Sequence, residues 1–181
     1  MDILENMLSR NEEFASEGFE ADLKMMPSNN TLIIGCVDPR VDPVAIFKLK
    51  QGEAAVYRNV GGRVNPALLE TMGLLRVVTQ AAGGNPGSGL NVVVLHHTDC
   101  GINHAHHHAP ERLARHLGVE PEGLGAKEVT DPYKSVAVDI AALKADPNLP
   151  DTHIVSGLVY DVATGKVEIV VPPSRLRETR I

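Results

Sequence analysis

Cys36, His97 and Cys100 are the side chains whose types and placement point most directly to chemistry. Brought to one point, two thiols and an imidazole make the donor set that zinc takes in tetrahedral geometry, at about 2.3 Å to sulfur and about 2.0 Å to nitrogen. Alone, either cysteine reads as a compact buried hydrophobe, and the two together could close one long disulfide loop. In a reducing compartment, and in the company of histidine and aspartate, the pair reads instead as a metal or catalytic site. The chain has no third cysteine. A closed structural site would therefore have to recruit a histidine or carboxylate, whereas three protein ligands leave the open position of a catalytic zinc.

Asp38 lies two residues beyond Cys36, and Arg40 two beyond Asp38. An ion pair between them would hold the carboxylate off the metal, free to accept a hydrogen bond from a reacting water. With the pair broken, Asp38 becomes a possible fourth ligand and the site is shut. Pro39 removes a backbone donor here and biases Asp38 toward extended backbone. Asp42 and Asp99 read as a helix cap and a turn residue. Gly61 and Gly62 either permit a tight turn or let the backbone approach the metal pocket. His96 should point away from the site, because neighbouring strand residues face opposite sides. His104, His106, His107 and His108 read as solvent-exposed imidazoles, with a proton relay as the functional alternative.

Positioning the three ligands requires strands that end together. The apolar run from Thr31 to Cys36 and the strongly β-branched run from Asn91 to His97 supply two such ends. Between them lie a short helical segment beginning DPVAIFKL, a strand from Ala54 to Asn59, and a long amphipathic helix from Pro66 to Ala82 that GGNPGSG terminates. A histidine-rich helical stretch from Ile102 to Leu117 and a helix from Tyr133 to Lys144 follow. Runs from His153 to Tyr160 and Lys166 to Val171 flank DVATG and predict a closing hairpin turned at Gly165. The alternation predicts an α/β fold with a mostly parallel sheet, a C-terminal antiparallel strand and helices on both faces; taken with the first strand central, the expected order is 2-1-3-4. If the first strand is central, the crevice between strands one and three is a topological switch point, where open α/β sheets bind ligands.

Composition narrows the function classes. With 181 residues and no linker or repeat, the chain reads as one domain, 1–181, with residues 1–26 as an N-terminal helical arm. Trp is absent and only three Phe and three Tyr occur, so aliphatic residues must fill the core. A net charge of −6 argues against gripping a nucleic acid backbone; Arg175, Arg177 and Arg180 read as a solvated end rather than a binding patch. No segment approaches the roughly 20 apolar residues of a membrane span, and the acidic, amphipathic start MDILENMLSRNEEF is not a secretory leader. The expected location is the cytoplasm.

CVDPR (Cys36 to Arg40) and HTDC (His97 to Cys100) together resemble the paired motifs of the β-class carbonic anhydrases, and RNVGG (Arg58 to Gly62) is similar to a further segment near that family's active site. The resemblance implies one zinc per subunit on Cys36, His97 and Cys100, a catalytic dyad of Asp38 and Arg40, and backbone at Gly61 and Gly62 lining the substrate pocket. The implied reaction is reversible hydration of carbon dioxide to bicarbonate by a metal-activated water. It also implies a homodimer or an assembly of dimers, with the N-terminal helix embracing a neighbour and the active-site cleft at the subunit interface. Hydrolysis of carbonyl sulfide or carbon disulfide on the same scaffold is a competing expectation. So is a noncatalytic zinc-binding interaction module closed by Asp38. Pro39 departs from the family pattern, in which a serine or another small residue is common, and the missing Trp removes an auxiliary bicarbonate pocket found in some members.

Overall fold

Residues 2–177 are described by the computed structural model, and their strands are β1 (Thr31–Cys36), β2 (Ala55–Asn59), β3 (Asn91–His97), β4 (Ile154–Asp161) and β5 (Lys166–Arg175). They form one sheet in the order β2-β1-β3-β4-β5. β1 pairs in parallel with β2 on one side and β3 on the other, β4 extends the parallel set, and β5 returns antiparallel. This is the expected order, and it places the switch point between β1 and β3. β5 runs further than Val171, through Pro172 and Pro173 to Arg175. An edge strand tolerates proline because its outward side needs no N–H donor.

Strand periodicity of two divides the core. Leu32, Ile34, Val92, Val94, Val155 and Val159 pack on one face with α3 (Pro66–Ala81) and α6 (Pro132–Ala145), through Leu68, Met72, Val136, Ile140 and Leu143. The intervening Ile33 and Leu95 turn to the other face, where Val41 and the short α2 (Pro43–Phe47) cover them. Asparagine and aspartate start these helices by accepting backbone N–H bonds: Asn65 for α3, Asp131 for α6, and Asp42 for α2, as expected for Asp42.

Three regions refine the sequence reading. The histidine-rich stretch is two helices, α4 (Ile102–His108) and α5 (Pro110–Leu117), because Pro110 excludes Ala109 from helical backbone; Ala109 sits at φ −150°, ψ 54°. Arg177 is not a solvated end: it bonds Asp151 and the carbonyls of Asp146 and Leu149, pinning the chain beside the sheet. Arg175 is exposed, and Arg180 lies outside the described residues. Finally, α1 (Ile3–Glu17) has a capped helix start but buries none of its residues, leaving Ile3, Leu4, Met7 and Leu8 more than half exposed. No helix among the described residues is long and apolar enough to cross a membrane.

Candidate metal centre

Cys36 closes β1 and His97 closes β3, so two adjacent parallel strands deliver them to the same end of the sheet. The turn after β3 then doubles back through Asp99, whose φ of 52° needs the left-handed conformation that aspartate tolerates, and presents Cys100. One donor atom from each of Cys36, His97 and Cys100 lies within 4.8 Å of the others. The two sulfurs stand 3.9 Å apart, against about 3.8 Å for thiolates sharing one tetrahedral ion at about 2.3 Å. His97 Nδ1 donates to the Thr98 carbonyl at 2.8 Å, which leaves the lone pair on Nε2. That Nε2 is buried and has no hydrogen-bond partner among the described residues. A buried, unpartnered imidazole nitrogen oriented by a carbonyl on its other nitrogen is the arrangement of a metal-ligating histidine, and the donor set fits zinc.

The electrostatics of the sulfurs point the same way. The Cys36 thiol is lowered to about 4 by the thiol of Cys100 first, then by the backbone N–H groups of Asp38 and Gly61, against the opposing effect of burial. Cys100 is pushed far up by the sulfur beside it and by burial. One thiolate forms readily while the second needs a cation, so metal uptake releases a proton.

Asp38 stands outside the donor cluster. Its Oδ1 accepts from the Arg40 backbone N–H at 2.9 Å and from Arg40 Nε at 3.1 Å, and its Oδ2 accepts from Nη2 at 2.7 Å. These hydrogen bonds hold the Asp38 carboxyl down to about 2, so it is ionised throughout the physiological range. Arg40 is in turn anchored to the far side of the site, bonding Asp99 Oδ2 at 2.8 Å and the Asp99 carbonyl at 2.9 Å. Asp99 is thus the expected turn residue and also a tether for Arg40.

The support beneath this cluster is less visible in the sequence. Arg58 clamps the CVD backbone, donating to the carbonyls of Cys36 and Asp38 at 2.7 Å each. Gly61, at φ 83°, donates its N–H to Cys36 Sγ at 3.3 Å. Gly62, at φ 64°, passes so close to the sheet that a Cβ there would lie 2.9 Å from the Gly35 carbonyl carbon and 3.0 Å from Cys36 N. Both glycines take the positive φ of a tight turn, and Gly62 also passes too close to the sheet backbone to carry a side chain. His96 faces away from the cluster as expected, with Nδ1 2.8 Å from Ser135 Oγ and Nε2 donating to Asp139 at 3.1 Å. Asp139, Arg63 and Ser135 belong to no motif that sequence reasoning singles out. A signal exists nonetheless: Asp139 interrupts the apolar stripe Val136, Ile140, Leu143 at a position that must be buried. His104, His107 and His108 are exposed, His106 is half-buried, and none belongs to the donor cluster.

Known proteins resemble the chain over most of its length. The family model described as carbonic anhydrase matches residues 31–122. Beta-carbonic anhydrase 1 of Mycobacterium tuberculosis is 28% identical over 173 residues, which cover 95% of this chain and all of the relative. The crystal structure of carbonic anhydrase from Streptococcus mutans aligns with a TM-score of 0.70 at 33% identity, covering 94% of this chain and 98% of that one. The apo form of a carbon disulfide hydrolase shares the fold, with a TM-score of 0.55 at 21% identity over 91% of this chain and 88% of that one.

Proposed function

Since the chain belongs to the β-class carbonic anhydrase family and is an enzyme of that class, we propose that it catalyses the reversible hydration of carbon dioxide to bicarbonate, with one zinc per subunit on Cys36, His97 and Cys100. The observation that carries this reading is the buried, unpartnered Nε2 of His97 facing two sulfurs 3.9 Å apart. Zinc, when bound, supplies a Lewis acid that makes water a nucleophile near neutral pH. The remaining work falls to the chain. Asp38, held at about 2, is too weak a base to take a proton near pH 7. Its role is instead to accept a hydrogen bond from the reacting water and fix its orientation. Oδ2 takes one short bond from Arg40 Nη2 and a longer one, 3.3 Å, from Nε, and keeps acceptor capacity for that water. Arg40 keeps the carboxylate turned from the metal, which favours an open, catalytic site over a closed module. The N–H of Gly61 steadies Cys36, and the backbone at Gly61 and Gly62 forms one wall of the substrate pocket.

The reading extends to a single domain with residues 1–26 as an arm, assembled as a homodimer or as pairs of dimers. Two apolar surfaces support it: the exposed side of α1, and a groove of about 680 Å³ bordered by Met25, Met26, Leu69, Met72, Leu75 and Val78. Val37 and Val60, exposed beside the ligands, would be covered by the second subunit. A reducing compartment such as the cytoplasm would keep both ligand thiols free. The test is metal analysis joined to stopped-flow hydration of carbon dioxide, with carbonyl sulfide and carbon disulfide as parallel substrates. One zinc per chain and fastest turnover on carbon dioxide are expected. Fastest turnover on either sulfur compound would transfer the assignment to the hydrolase class, and a stoichiometric zinc protein inert on all three would make it a binding module.

A further inference from the structure

We infer that Asp139 and Arg63, buried behind the ligands and hydrogen-bonded to none of them, are positioning residues that set the geometry of the metal centre from both sides. The inference deepens the proposed zinc function and rests on it. Asp139 projects from the middle of α6 into the space between two site-bearing segments. Its Oδ2 accepts from Arg63 Nε at 2.8 Å, from the Val64 backbone N–H at 2.9 Å and from His96 Nε2 at 3.1 Å, while Oδ1 accepts from Arg63 Nη2 at 3.1 Å. One carboxylate therefore joins β3, immediately before the ligand His97, to the loop that follows β2.

That loop is closed upon itself. Asn59 donates to the Arg63 carbonyl at 2.8 Å and accepts from the Arg63 N–H at 2.7 Å, and Gly61 sits inside the closed turn with its N–H on Cys36 Sγ. Arg63 also reaches the Lys127 carbonyl at 2.8 Å, fixing the loop to a third segment. The sulfur of Cys36 and the ring of His97 are thus referred to one buried anchor. Stability alone does not account for such an anchor, because a buried ion pair is commonly no more stable than apolar side chains of similar volume. The Val136, Ile140 and Leu143 stripe would accept a leucine at this position. What the charged pair adds is direction: hydrogen-bonded arms of fixed length to β3, which carries His97, and to the loop whose Gly61 N–H bonds Cys36 Sγ, of the kind that tune a metal site from outside its ligands.

The experiment compares zinc affinity, by chelator competition on the full-length chain, and the visible spectrum of the cobalt-substituted protein across four proteins. These are the native chain, Asp139→Asn, the α6 core variant Leu143→Ala, and the double variant Arg63→Met/Asp139→Leu. Asp139→Asn should weaken zinc binding about 10- to 100-fold and shift the cobalt bands. Leu143→Ala should lower the melting temperature yet leave affinity and spectrum native. The double variant removes both charges and so folds without an unpaired ion; its melting temperature should recover toward native while its zinc affinity stays low. Affinity that tracks melting temperature across all the variants, or an unshifted cobalt spectrum in Asp139→Asn, would reduce the pair to a structural role and overturn the inference. A native chain that binds no zinc would overturn the metal assignment itself, a separate and recognisable failure.

Discussion

Two arginine–aspartate pairs among the described residues have nearly equal length and opposite surroundings. Arg40 and Asp38 meet at 2.7 Å at the rim of the proposed metal centre, with side chains 48% and 14% exposed; Arg63 and Asp139 meet at 2.8 Å with side chains 2% and 1% exposed. Water decides what each pair can do. At the rim, solvent and salt replace a broken contact, so in the proposed site Asp38 could exchange Arg40 for the metal at small expense. In the interior nothing replaces it, and separation would leave a charge without solvation. One pair is therefore suited to participate in the reaction, and the other to hold the site still.

The comparison is broken most forcefully from the inside. Asp139→Ala leaves the Arg63 guanidinium buried without its counter-charge and strands the His96 and Val64 donors. A loss of about 3–5 kcal/mol is expected, a large share of the roughly 5–15 kcal/mol that holds a typical domain together. Urea denaturation of the metal-free protein measures it, and a loss no larger than that of an ordinary surface substitution would mean the pair is solvated after all.

Asp38→Asn should have the converse profile. The amide keeps the size and one acceptor oxygen, so folding and zinc content should match the native chain. It loses the ionised acceptor that orients water, and kcat for carbon dioxide hydration should fall by at least about 100-fold. Full activity in the Asp38→Asn variant would remove this carboxylate from the mechanism.

This difference also explains what is legible in the sequence. The rim pair lies within CVDPR, where chain proximity alone brings Asp38 and Arg40 together, and two of the three proposed ligands, Cys36 and His97, close strands with readable β-branched runs. The closing hairpin sets the last two strands side by side, whereas the central place of β1 is a tertiary outcome that the runs alone do not encode. The interior pair joins residues 76 positions apart, and only the packing of α6 across β3 makes them neighbours. No local spacing encodes that contact; the one trace is an aspartate where the helix stripe requires an apolar residue. Arg58 is visible as part of RNVGG, but its grip on the Cys36 and Asp38 carbonyls depends on the β1–β2 register. The break at Pro110 is readable from proline chemistry, although the histidine run dominates the composition of that stretch and masks the change in backbone. Arg177 resembles any charged residue near a chain end, and its partners come from the α6–β4 connection, which no local pattern brings beside it.

Acid separates the pairs more gently. Burial opposes ionisation of Asp139, yet the hydrogen bonds from His96 and Arg63 outweigh it and hold the carboxyl below its usual range. Between that lowered value and an unfolded value of about 3.9, the unfolded chain binds the proton more readily, so stability rises with pH. The contribution of Asp139 is complete above about pH 4 and is lost as the pH falls through the folded value. Stability of the metal-free native chain should therefore drop more steeply below that point than stability of Asp139→Asn, which has no proton to gain there. Parallel curves would show that the folded carboxyl titrates as it does in the unfolded chain.

Salt gives the smallest effect and the sharpest discrimination. Raising ionic strength from about 0.1 M to about 1 M shortens the screening length from about 10 Å to about 3 Å, which weakens exposed pairs and leaves buried ones nearly untouched. Double-mutant cycles on stability, Asp38→Asn with Arg40→Gln and Asp139→Asn with Arg63→Met, isolate each coupling. The interior coupling should be large and equal at both salt concentrations. The rim coupling should be small at low salt and vanish into the error of the denaturation curves at high salt, even though its hydrogen bonds are as short. If the rim coupling is large and survives high salt, Asp38 and Arg40 are as locked as the pair beneath them, and an exchange of Arg40 for metal at Asp38 loses its physical basis.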